Sequence, residues 1–230
     1  MANTSYLIHF FGPDGVGKST QARILAHLLQ KRGFPIRVVR IRSGRTFASL
    51  LLMMLGLLLH STITRGADGR IIKLHFLKPY SLNGKIWALI EFLSIIPIIL
   101  LKVYLPLFRG KIVIAERFII DTIVSIAYLI NSPKWIKSNL SNMMFRIIPH
   151  KTLYIHLDCS YTSVLDRRGK EAESVEYFEF QRKLYESLSK KVHTFVLRVD
   201  TSSLTITETA KRIYRYVLNA LTENTINSKC

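Results

Sequence analysis

Cysteine is almost missing from this chain: Cys159 and Cys230 are the only two in 230 residues. Two isolated thiols offer neither a metal-ligand spacing nor a disulfide framework. The N-terminal residues also lack the basic-then-apolar pattern of a secretory signal, so the expected location is reducing and cytoplasmic. Acidic residues are scarce, 15 against 33 Lys and Arg, which gives a formal net charge of +18. A field of that sign favours anionic partners, whether nucleotides, nucleic acid or acidic lipid headgroups. Charge alone does not choose among them, and most of these side chains read as solvated surface. Internal repeats and low-complexity linkers are absent, which excludes solenoids and arrays. The expectation is one domain over residues 1–230.

Uncharged apolar runs of spanning length are absent too. Phe47–Leu59 is thirteen residues, and the longer apolar segment Ile86–Phe108 is interrupted by Glu91, Pro97, Lys102 and Pro106. Its longest uncharged run, Phe92–Leu101, is about half of the roughly 20 residues that a spanning helix needs. Both segments therefore read as buried or partner-facing helices, in an apolar helical acceptor-side or dimer region at about 46–108. The alternative is a helical pair resting on a membrane surface. No sequence-specific nucleic-acid binding is expected.

What is present is a regular alternation of short apolar runs and helical patterns. Strands are predicted at Tyr6–Phe11, Ile36–Ile41, Ile112–Ala115, Leu153–Leu157 and Phe195–Val199, each a β-branched or aromatic run suited to a strand buried on both faces. Helices are predicted at Ser19–Lys31, Gly84–Tyr104, Phe118–Ile130, Tyr161–Asp166, Ser174–Lys191 and Thr205–Leu221. The order implies an α/β fold with a parallel sheet.

Directly after the first strand, Gly12-Pro13-Asp14-Gly15-Val16-Gly17-Lys18-Ser19-Thr20 matches the phosphate-binding pattern G-x-x-x-x-G-K-[ST] in full. Glycines at 12, 15 and 17 permit backbone angles that turn successive N–H groups inward onto phosphate oxygens. Lys18 reaches β- and γ-phosphates, the Ser19 hydroxyl suits Mg²⁺, and Thr20 lies in position for the α-phosphate. The helix that opens here directs its positive end at the same anions. Gly12, Asp14, Gly15, Val16, Gly17, Lys18, Ser19 and Thr20 are thus the candidate ATP-binding residues.

Two further clusters suit phosphoryl transfer. Glu116-Arg117-Phe118 follows the third strand, at the sheet end where α/β folds bind ligands. Glu116 there can hold a metal-bound water or an acceptor group, and Arg117 can grip an anionic acceptor. Arg167-Arg168-Gly169-Lys170 supplies a basic lid at about 166–174. Residue 16 is an uncharged Val, so the neutralising arginine is expected from that lid. Between Asp14 and Asp68 there is no acidic residue, whereas Arg40, Arg42 and Arg45 follow the second strand. A hydroxyl acceptor wants a carboxylate base there. An anionic phosphate acceptor does not, so Arg42 and Arg45 read as acceptor contacts. Glu116 or Asp14 as base for a hydroxyl acceptor is the alternative.

These residues resemble the thymidylate kinases and thymidylate kinase-like members of the P-loop nucleoside monophosphate kinases. The loop Phe11-Gly12-Pro13-Asp14-Gly15-Val16-Gly17-Lys18-Ser19-Thr20-Gln21 carries the likeness. Glu116-Arg117-Phe118 is similar to that family's Asp-Arg-Tyr. Ser125-Ile126-Ala127-Tyr128, Leu157-Asp158, Leu165-Asp166-Arg167, Tyr185-x-x-Leu188 and Val199-Asp200 follow in order. The resemblance implies a three-layer P-loop kinase fold with a five-stranded parallel sheet flanked by helices. It also implies ATP as donor, Mg²⁺ as cofactor, a nucleoside monophosphate acceptor with dTMP foremost, and a homodimer. By position, Asp14 would touch the acceptor sugar, Arg117 the acceptor phosphate, and Arg167 and Arg168 would make the lid contacts. Other readings are a kinase of this fold with a sugar, nucleoside or lipid-precursor acceptor, and a nucleotide-binding module without transfer chemistry. Two positions depart from the family: Arg42-Ser43-Gly44 stands where Arg-Glu-Pro is usual, and Trp87–Leu93 lacks the arginine of the acceptor-site helix.

Overall fold

The computed structural model describes residues 5–41, 63–65, 71–74 and 82–227. Among them are the strands β1 (Leu7–Phe11), β2 (Ile36–Val39), β3 (Ile63–Arg65), β4 (Ile71–Leu74), β5 (Ile112–Ala115), β6 (Thr152–Asp158) and β7 (Val196–Asp200). Five form one sheet in the order β2-β5-β1-β6-β7. Every pairing in it is parallel, with Leu7 opposite both Val113 and Thr152. The five predicted strands are these five.

Helices α1 (Lys18–Lys31), α2 (Leu82–Ile99), α3 (Ile119–Leu129), α4 (Asn139–Arg146), α5 (Tyr161–Arg168), α6 (Val175–Lys191) and α7 (Ile206–Asn227) cover the sheet. Residues of β1 alternate between two cores, as the period of a strand requires. Leu7 and Phe11 pack with Trp87, Phe92, Ile123 and Leu184 of α2, α3 and α6. Ile8 and Phe10 pack with Leu25, Leu29, Ile213 and Val217 of α1 and α7. The result is the expected helix–sheet–helix sandwich. Each fully buried large side chain stabilises it by about 1.5–3 kcal/mol.

Three elements differ from the sequence reading. Part of the segment expected to be helical at about 46–108 is strand: Ile63–Arg65 and Ile71–Leu74 pair antiparallel. The cue was local, because Asp68-Gly69 between two β-branched runs is a hairpin signal. Phe47–Leu59, Arg42 and Arg45 lie outside the described residues. Helix α2 runs on past the predicted end, through a π turn at Leu100–Tyr104 and a last turn at Leu105–Phe108. Pro97 removes one i→i−4 hydrogen bond just before the helix widens. Helix α4 and the 3₁₀ turn before it at Pro133–Lys137 were not anticipated. Its start was legible in Ser138, whose side chain accepts a hydrogen bond from the Ser141 N–H at 3.2 Å.

Candidate active site

The site lies beyond the C-terminal ends of β1 and β5, neighbours in the sheet, so the loops after them are forced together. After Phe11 the chain turns at Gly12 with φ +139°, and a Cβ there would sit 2.0 Å from the carbonyl oxygen of Leu157 on β6. Only glycine lets the loop pass the neighbouring strand so closely. Gly15, at φ +93°, is hemmed in by Val164 and Arg168 of α5; a Cβ there would lie 2.7 Å from Val164 Cγ1 and 3.3 Å from Arg168 Cδ. The predicted lid arginine 168 therefore lies directly against the loop. Helix α1 then opens with no acidic residue in its first turn, leaving its positive end available to phosphate.

Lys18 is 6 % exposed and curls back over the loop, donating to the carbonyls of Gly12 at 2.5 Å and Pro13 at 2.6 Å. Burial, reinforced by the Arg117 guanidinium, lowers its ammonium to about 8, while Asp14 and Asp121 pull the other way. An incoming polyphosphate would favour the charged form again. Asp14, also buried, forms a tight ion pair with Arg117. Burial disfavours the guanidinium charge, but Asp14 and Asp121 outweigh it and hold Arg117 above its ordinary range. Gln181 of α6 fixes the loop from the side, its Oε1 accepting from the Asp14 N–H at 3.0 Å.

Ser19 and Glu116 meet as their candidate roles require: the Ser19 hydroxyl donates to Glu116 Oε2 at 2.7 Å. Arg40 Nε is 4.0 Å from the same oxygen. One hydroxyl and one carboxylate are hard oxygen donors, the set that suits Mg²⁺ when phosphate oxygens and waters complete the shell. Among the described residues no cluster of three His, Cys, Asp or Glu side chains offers an alternative metal site.

Sequence reasoning missed three residues here. Asp121, buried in the first turn of α3, accepts from the Phe118 N–H at 3.1 Å and the Tyr185 hydroxyl at 2.9 Å, and faces His9 Nε2 at 3.3 Å. Burial raises a carboxyl, but the His9 hydrogen bond and the Lys18 and Arg117 charges overcome this and lower Asp121. It thus sets a second carboxylate against the two buried cations. Gln181 was detectable only as a polar residue within the apolar stripe Tyr177, Phe178, Leu184, Tyr185 and Leu188 of α6. Thr201 had no sequence signal. Its hydroxyl accepts from Arg167 Nη1 at 3.1 Å, its carbonyl accepts from Arg167 Nη2 at 2.5 Å, and its Oγ1 is 3.2 Å from the Val16 carbonyl. Arg167 is therefore tethered to the β7 end beside the loop rather than extended over it. Val16 is fully buried in the core under α1. Thr20 is exposed on the first turn of α1.

Sheet order and the phosphate-loop pattern together give the three-layer P-loop α/β fold, with Ser19 and Glu116 in contact at its loop end. No family model matches the chain. It is similar to the thymidylate kinase of Neorickettsia sennetsu (strain ATCC VR-367 / Miyayama), with 31% identity over 118 residues, 51% of this chain and 48% of that protein. The chain thus spans about half the length of the curated relative it matches. It also superposes on the crystal structure of thymidylate kinase from Ehrlichia chaffeensis with a TM-score of 0.58 and 20% identity, covering 93% of this chain and 98% of that one. The fold is that of the solved thymidylate kinase, and the sequence likeness to a thymidylate kinase extends over about half of the chain.

Proposed function

We propose that this chain moves the γ-phosphoryl group of ATP to a nucleoside monophosphate, dTMP being the acceptor that its relatives point to. The observation that carries the reading is the buried Asp14–Arg117 pair beside Lys18. A phosphate-binding loop alone would serve any nucleotide, whereas Arg117, held against this loop by Asp14, would add a grip for an anionic acceptor.

In this reading the loop N–H groups and the α1 terminus bind the donor phosphates, and Lys18 shifts from its loop carbonyls onto the β- and γ-phosphates. Arg117 holds the acceptor phosphate in line, with Asp14 fixing the guanidinium and facing the acceptor sugar. Ser19 and Glu116 would hold Mg²⁺, which supplies charge neutralisation on the transferred group. Arg168, which lies against the loop, would contact the donor from the lid, and Arg167 would join it by leaving Thr201. Arg42 and Arg45 would add positive charge on the acceptor side.

A second reading keeps this chemistry and changes the acceptor. It rests on α2, where Trp87, Glu91 and Phe92 are buried and the family's arginine is missing. One assay separates the readings: ADP release from ATP with Mg²⁺, measured against a panel of nucleoside monophosphates, nucleosides and sugar or lipid-precursor alcohols. The expected result is stimulation by dTMP and its loss by roughly three orders of magnitude or more in Lys18→Ala, which retains the fold. Stimulation only by another compound would support the second reading. ATP binding with no acceptor-stimulated ADP release, or full activity in Lys18→Ala, would overturn both.

A further inference from the structure

We propose that the groove between α6 and the outer edge of β7 is a second ligand site, which takes a small phosphate ester and acts on the phosphate loop from the side. β7 ends the five-stranded sheet, and a groove of about 780 Å³ opens there against α6. That volume suits a small metabolite better than a lone ion. One wall is a single face of α6, on which Glu179, Arg182, Lys183 and Glu186 recur at helical spacing. The floor comes from the two outer strands. His156 pairs with Arg198 and Asp158 with Asp200, so these four side chains share one side of the sheet. Arg212 of α7, which packs on the opposite side, completes the groove from across the edge.

The pairing of these charges selects the ligand. Arg182 takes up two carboxylates, Asp158 at 2.9 Å and Glu179 at 3.9 Å, and Lys190 takes Glu186 at 2.8 Å. Asp200 accepts from the Ser202 N–H at 2.8 Å. Lys183, Arg198 and Arg212 have no ion pair among the described residues, and Arg198 donates to the neutral Ser189 hydroxyl at 3.0 Å. Three such cations around one groove suit the dianion of a phosphate monoester. His156 sets a second requirement. It is 5% exposed, and its Nε2 has no hydrogen-bond partner among the described residues. A buried polar atom left so is costly, and a hydroxyl or carbonyl group on a ligand would satisfy it. Inorganic phosphate meets the first requirement alone; an ester meets both and fills more of the groove.

The groove shares residues with the supports of the phosphate loop. The Asp158 carbonyl accepts from the Thr201 N–H at 2.8 Å, and Thr201 in turn holds Arg167 and the Val16 carbonyl. Gln181, which fixes the Asp14 N–H, directly precedes Arg182 on α6. A phosphate that draws Arg182 away from Asp158 therefore bears on both supports, and the coupling to ATP is reciprocal.

The test follows the His156 ring nitrogens of the full chain by ¹⁵N NMR, the signal being assigned by its loss in His156→Phe, as ribose phosphate, glycerol phosphate, dTTP or inorganic phosphate is added. We expect a saturable His156 shift with an ester, about tenfold tighter than with inorganic phosphate, and a change of about fivefold in ATP affinity once a non-nucleotide ester fills the groove. Arg198→Glu with Arg212→Glu should abolish the shift, and Lys183→Ala should weaken ester binding about tenfold. Both variants should keep wild-type circular dichroism and ATP binding without ester, because none of these side chains touches the loop. Absence of any ester-dependent His156 shift would overturn the proposal. So would a shift that survives Arg198→Glu with Arg212→Glu, since it would come from the loop. Inorganic phosphate binding as tightly as every ester would overturn the assignment to an ester, and unchanged ATP affinity at saturation would overturn the coupling.

Discussion

Beyond the C-terminal ends of β1 and β5, charged groups are buried: Asp14, Lys18, Arg117 and Asp121 are all 6 % exposed or less. Beyond the N-terminal end of β5 the pattern reverses, with apolar Leu101, Leu105 and Phe108 outside and Arg109 and Lys111 exposed around them. Each arrangement is costly in an isolated soluble domain. Buried charges lose hydration unless they are paired and hydrogen-bonded, and exposed apolar surface forfeits the burial that drives folding. At the loop end the cost is met internally, by the Asp14–Arg117 pair and by Asp121 with His9 and Tyr185. At the other end the described residues leave the apolar side chains of Leu101, Leu105 and Phe108 exposed. The two ends differ in whether the described residues supply that compensation.

The sharpest way to break this contrast is Arg117→Ala. It leaves Asp14 buried without its partner, so stability should fall by about 3–5 kcal/mol. Urea denaturation measures it. In the double variant Asp14→Ala/Arg117→Ala most of that stability should return, because no uncompensated charge remains. Acceptor-stimulated turnover should stay lost in both. If the single and double variants were equally unstable, the pair would be acting through packing and not through charge.

The same contrast explains what was legible in the sequence. The five strands and the helices between them other than α4 were readable because parallel strands buried on both faces are short apolar runs, and Gly12–Thr20 was readable because phosphate chemistry fixes its spacing. Ser19 was singled out from the loop pattern, Glu116 and Arg117 from the sheet end they occupy, and Asp14 from the family resemblance, but the Asp14–Arg117 ion pair was not foreseen. Asp121, Gln181 and Thr201 did not, since each acts on a partner from 64 to 185 residues away that only the folded chain brings near. The hairpin of β3 and β4 was missed for a different reason: the apolar runs around it dominated the reading of a local turn signal.

A smaller effect tests whether burial at the loop end is fully compensated. His156 on β6 is buried and stacked on Phe11, ring centroids 4.9 Å apart, and its Nε2 has no hydrogen-bond partner among the described residues. Burial lowers its imidazole from 6.5 to about 4; Arg198 and Lys18 push the same way, and Asp158 opposes them. As pH falls, the unfolded chain takes up this proton first. The native state should therefore lose stability between about pH 6.5 and pH 4, by up to about 3 kcal/mol from this residue. His156→Phe preserves the stacked shape without a titrating group, so its denaturation midpoint should vary less over that interval. Parallel pH profiles of the two proteins would deny the histidine this role.

The smallest expected effect bears on the other end of the sheet. Phe108→Ser removes an aromatic ring that is 92% exposed, so almost no buried area is lost and no cavity forms. Unlike truncation of Phe92 on the inner side of the same helix, it should change the stability of the soluble chain by no more than about 0.5 kcal/mol. A loss several times larger, seen as a lower urea midpoint with an unchanged slope, would mean that Phe108 is covered within the chain itself. The apolar end would then be compensated internally, as the loop end is. A near-zero change would leave that ring with no energetic role inside the fold.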